Sequence, residues 1–156
     1  MERFDDRPSE IRRRIREEHD GLRELLAGLD EAARQVLDHG DDGSAATLRQ
    51  LCGALHVALA AHLDLEDAVL APALRDTDAF GPDRADELLA HHADQRKMLA
   101  SALAEAKDET VSAEVVARHT RKLIGHLMAD MAQEDRDLLN PNLLRDDPTT
   151  VDEFTG

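Results

Sequence analysis

Four stretches of this chain repeat an apolar residue every three or four positions, and each carries a histidine on its stripe. That spacing puts the repeated side chains on one face of an α-helix, and amphipathic helices bury such faces best against one another. Ile11, Ile15, His19, Leu22, Leu26, Leu29 and Val36 follow Ser9 and stop at His39-Gly40, which predicts a helix over about 10–38. Leu48, Leu51, Cys52, Leu55, Leu59, His62, Glu66 and Val69 predict a second, from about 45 to Pro72. Pro82 suits a first helical turn, and Leu88, His92, Leu99 and Leu103 carry a third helix to about Lys107. Ser112 can cap a fourth, whose stripe is Val116, His119, Leu123, Leu127, Asp130, Glu134 and Leu138, ending near Pro141. Short turns between helices of similar length predict an all-α, up-down-up-down four-helix bundle over residues 10–141. Residues 1–9 read as an N-terminal arm, and residues 142–156 as an acidic tail, loose or strapped on the outside.

His62 and Glu66 stand four residues apart, one turn above the other, so one metal ion could take both. At about 1.5 Å per residue, His19 and His92 lie about 15 Å in from the starts of their helices. His62 and Asp130 lie at nearly the same depth from the ends of theirs, with Glu66 and Glu134 one turn nearer the end. The halves also repeat, since Ala61-His62-Leu63-Asp64-Leu65-Glu66-Asp67 lines up with Ala129-Asp130-Met131-Ala132-Gln133-Glu134-Asp135. One layer of the core is thus expected to hold His19, His62, Glu66, His92, Asp130 and Glu134, with no inward Lys or Arg at that level. Burying so many ionisable groups uncompensated costs several kcal/mol each, and bound cations would remove that cost. Imidazole suits iron, zinc, copper or manganese, and two carboxylates from diagonal helices can bridge two ions.

Composition narrows the partners. Nineteen basic against 34 acidic residues, a formal charge of −15, repel nucleic acid and anionic membrane surfaces. No apolar run is long enough to span a bilayer, and the start, MERFDDRPSE, lacks the apolar core of a signal peptide, so a cytoplasmic protein is expected. A monomer or weak homo-oligomer is the expected state. Cys52 reads as a small core residue, and with no Trp or Tyr, aromatic stacking is not the expected binding mode.

The pattern His19, His62-x3-Glu66, His92 and a carboxylate at Glu134 resembles the hemerythrin-like (HHE cation-binding) family over roughly residues 10–141. That resemblance implies two iron ions in a non-heme, oxo- or hydroxo-bridged site with both Glu bridging, which meets dioxygen, peroxide or nitric oxide in sensing, scavenging or storage. The chain departs from the family at Asp130, where the pattern has His. Three outcomes are open there: Asp130 ligates as a third carboxylate, His126 one turn away reaches the metal instead, or water takes the place. The departure also keeps a second function in view, a diiron oxidase or oxygenase acting on a small organic substrate. A metal-free interaction bundle is the third.

The remaining histidines have plainer readings. His91 points about 100° away from His92, with a register slip as the alternative. His39 suits a helix carboxyl end, and His56 and His119 read as surface or hydrogen-bonded groups. Asp64 and Asp67 are read as solvated charge.

Overall fold

The computed structural model describes residues 7–147. Helix α1 (Pro8–His39) begins with proline in its first turn, where no backbone N–H is missed, and ends at Gly40, whose φ of 65° is a left-handed cap that glycine adopts without strain. Helix α2 (Asp42–Leu65) starts three residues before the expected position 45, because the Asp41 carboxylate accepts from Ser44 N–H at 2.6 Å and so caps the first turn.

Proline 72 does not end this rod, as the sequence predicts it should. A π-helical turn (Glu66–Leu70) leads straight into α3 (Ala71–Arg75), with Ala71 N–H reaching back to Glu66 C=O. The wider turn opens the backbone ladder just where the proline ring would collide with a carbonyl and where its N–H is missing. The chain then turns into α4 (Gly81–Lys107) and, through a cap in which Ser112 Oγ accepts from Val115 N–H at 3.2 Å, into α5 (Ala113–Asp137).

The α2–π–α3 rod counts as one arm, so the described residues form four helical arms with no strand, an all-α bundle. α1 packs on α2, α2 on α4, and α5 returns beside α1; the α4–α5 side is the loosest. The segment after α5 is clasped to the start of α1. Leu139 and Leu144 are fully buried, Ser9 N–H and Oγ–H donate to Asp146 at 2.8 and 2.6 Å, and Arg12 donates to the Leu144 carbonyl. Residues 142–147 of the expected tail therefore lie against α1, while 148–156 and the arm residues 1–6 are outside the described residues.

The hydrophobic core comes in two parts. A larger cluster runs from Leu22, Leu26 and Leu29 through Leu48, Leu55 and Leu59 to Leu123 and Leu127. A smaller one gathers Ile11, Ile15, Leu70, Leu74, Leu88, Leu139 and Leu144 at the other end. Between them lies a layer of buried polar side chains.

Candidate metal centre

Each arm sends one or two groups into that layer. His19 of α1, His62 of α2, Glu66 at the start of the π turn and His92 of α4 are all at most 3% exposed, and Glu134 of α5 joins them half-buried. Burial of these side chains follows from their stripes: His19 falls between Ile15 and Leu22, and Glu66 between Leu63 and Leu70, so the faces that bury the leucines carry them inward.

Glu66 is the hub. Its Oε1 lies against His62 Nε2 and 3.6 Å from His19 Nε2, while its Oε2 faces His92 Nε2 at 3.7 Å. Glu134 Oε1 is 3.2 Å from His19 Nε2, and the His19 and His62 rings lie 4.9 Å apart. One ligand atom each from His19, His62, Glu66 and Glu134 can be drawn within 4.8 Å of one another. Four inward atoms, His19 Nε2, Glu66 Oε2, His92 Nε2 and Glu134 Oε1, are buried with no hydrogen-bond partner. Orphaned nitrogens and carboxylate oxygens converging on a shared space are what a cation satisfies and a packed core does not.

The outward ring atoms are all engaged. Nδ1 of His19 donates to Asp135 Oδ1 at 2.7 Å, Nδ1 of His62 to Glu18 Oε1 at 3.1 Å, and Nδ1 of His92 to Asp67 Oδ1 at 2.5 Å. Arg23 and Arg96 close the outer face by donating to Asp135 at 2.5 Å and Asp67 at 2.6 Å. A proton held on Nδ1 leaves Nε2 as the inward lone pair, which fixes the tautomer a metal needs.

Electrostatics follow the crowding. Burial depresses the His19 imidazole, but Glu134, Glu66 and Asp135 outweigh it and raise its pKa to about 10. Burial likewise works against His62, and Glu18 with Glu66 lifts it to about 9. The two carboxylates divide: burial and the charge of Glu66 push Glu134 up to about 8, whereas against burial's upward push the histidines hold Glu66 far below the usual carboxylate range.

The family model of the hemerythrin HHE cation binding domain matches residues 10–140. The chain belongs to that family. Comparison with curated proteins and with solved structures returns no match. No helix among the described residues is long and apolar enough to cross a membrane.

Within this HHE domain the departing position lies at the rim. Asp130 is half-buried, and its Oδ2 accepts from Gln95 Nε2 at 3.0 Å and lies 3.3 Å from His91 Nε2. It lines the same cavity as His19, Glu66 and Glu134. His126 does not join the cluster; it is exposed and faces a groove with Lys97, Met98 and Lys122, because the inward neighbour on its turn is Leu127. Of the adjacent histidines on α4, His92 is the buried one and His91 is exposed.

One expectation needs correction. Asp67 is not solvated charge, since it holds His92 and pairs with Arg96. Cations also stand near this layer, Arg23 and Arg96, but at its outer edge, where they neutralise Asp135 and Asp67 and not the inward carboxylates. The outer acids were visible in the repeat, which aligns Glu66-Asp67 with Glu134-Asp135. Likewise Arg23 follows His19 by the same four residues as Arg96 follows His92.

Proposed function

We propose that the chain is a non-heme diiron protein that binds or reacts with dioxygen, peroxide or nitric oxide inside the bundle. The observation that carries this reading is the set of four buried inward atoms without partners, in a domain of a cation-binding family. His19 and His62 would hold one ion, His92 and the remaining oxygens the other, with Glu66 between them because its two oxygens face different histidines. Iron in such a site supplies one-electron redox chemistry toward small oxidants.

The protein's own groups then set access and size. The enclosed cavity at the cluster measures about 20 Å³, with Leu22, Leu26, Leu59 and Leu127 on its apolar side. His19, His62, Glu66 and Glu134 themselves line it, so the ions would fill this space and it offers no separate chamber for a bulky organic substrate. An open groove of about 340 Å³ between α4 and α5, bordered by His91, Asp130 and Glu134, leads toward it from solvent. A metal-free interaction bundle would have to hold this crowd of buried ionisable groups by protonation alone, with His19 Nε2 3.2 Å from Glu134 and His92 Nε2 left 3.7 Å from Glu66, beyond hydrogen-bond reach.

Metal content per chain, read together with the absorption spectrum, tests the proposal. Two irons and near-ultraviolet charge-transfer bands are expected. His62→Ala or Glu66→Ala should lose metal, whereas His39→Ala, at the exposed end of α1, should not. A chain grown with ample iron that carries none, yet is fully helical and stable, overturns the reading.

A further inference from the structure

The two halves of the bundle repeat around the site, and three departures from the repeat meet at one corner. Adding 73 to α1 numbers and 68 to α2 numbers maps His19 onto His92, Arg23 onto Arg96, Glu66 onto Glu134 and Asp67 onto Asp135. The same shifts map His62 onto Asp130, Glu18 onto His91 and Leu22 onto Gln95. In the first half an imidazole lies inside and a carboxylate outside, with His62 Nδ1 donating to Glu18 at 3.1 Å. In the second half the two exchange places: the carboxylate of Asp130 lines the cavity and the His91 imidazole stands outside it, 3.3 Å away.

The third change falls on the same group. Gln95 is only 7% exposed, and a buried amide at a leucine position needs a partner; it donates to Asp130 Oδ2 at 3.0 Å. Three departures from the repeat therefore converge on one carboxylate. Both contacts fall on Oδ2, which leaves Oδ1 as the oxygen available to a cation.

We propose that Asp130 is a ligand of the second cation, the one facing His92, and that His91 and Gln95 are positioning residues that orient it. This rests on the dimetal reading above. The two positions then differ in kind. The first is rich in nitrogen, from His19 and His62. The second exchanges an imidazole for an anionic oxygen and favours harder cations. Swapping inner and outer partners preserves the acid–imidazole pair, so the change of ligand costs the fold no unpaired charge.

The test is a cobalt(II) titration of the chelator-stripped chain, following heat and d–d absorption, with far-ultraviolet circular dichroism to verify the helices. The wild type should take two ions. His91→Ala, at an exposed residue, and Gln95→Leu, which restores the leucine of the other half, should each weaken the second ion ten- to a hundred-fold and leave the first unchanged. The double substitution His91→Glu with Asp130→His recreates the Glu18–His62 arrangement; it should keep two ions and move the second ion's d–d band toward the first's. If His91→Ala and Gln95→Leu bind both ions as tightly as wild type, the positioning role is overturned while the dimetal reading stands. A wild-type chain that takes one ion or none overturns the dimetal reading itself.

Discussion

A histidine that gives Nδ1–H to a carboxylate is a better donor at Nε2 and cannot rotate away, so a substitution outside the inner cluster is felt within it. Asp135 serves His19 in this way and is itself held by Arg23, with burial's upward push on its pKa outweighed by the arginine and the imidazole. Asp135→Ala should therefore lower metal affinity about ten- to a hundred-fold without unfolding the chain, and Asp67→Ala should do the same through His92. Metal competition with a chelator of known affinity measures both. A one-dimensional reading places Asp67 beside Glu66 and hence 100° away, toward water. What that reading lacks is α4, which covers the direction in which Asp67 points and supplies both His92 and Arg96. The inward groups were legible because they share a stripe with leucines, whereas the outer acids show in the repeat but what they hold is set by the neighbouring helix.

At the scale of elements, apolar period and caps gave the helices to within a few residues, and the departures came from local chemistry that periodicity does not carry. Proline 72 is the clearest case, for a π turn absorbs it and the rod continues to Arg75. The turn into α4 depends on a different residue. A Cβ on the buried Gly81 would run into the Leu74 carbonyl and stand 2.6 Å from that of Arg75, and neither backbone group can swing aside. Gly81→Ala is therefore expected to cost on the order of 2 kcal/mol, read as a lower denaturant midpoint at constant m-value. The same substitution at Gly28, where an added Cβ meets nothing within 4 Å, should stabilise α1 slightly.

Across the whole molecule, the protonation of the site couples stability to pH. His19 and His62 titrate at about 10 and 9, above their ordinary 6.5, and Glu134 at about 8, above its ordinary 4.5. Each raised value means that the folded chain binds more protons than the unfolded one, so each contribution is full below the ordinary pKa and is lost as pH rises through the folded one. Glu66 and Asp135, both lowered, act oppositely and lose theirs in acid. The chelated chain should thus be most stable near about pH 4.5, where Glu66 and Asp135 have gained most of their contribution and Glu134 has begun to lose its own, and its melting temperature should fall from there toward pH 10 as His19 and His62 follow. Cations expel those protons, so the loaded chain should gain on the chelated one as pH rises. A gap in melting temperature that is constant across this range would place the bound ions outside the layer.

The polar layer divides the apolar core unequally, and the smaller share, with Ile11, Ile15, Leu74 and Leu144, lies beyond the waist. Such a molecule need not open all at once. Amide hydrogen exchange on the chelated chain should reveal two cooperative blocks, with the first turns of α1, α3 and the clasp of Leu139 to Asp146 exchanging as a unit before the leucine-rich remainder. Ions at the waist, held from both sides, would merge the blocks into one, so that the supply of cations would decide whether this end of the protein is a firm structure or a door left ajar.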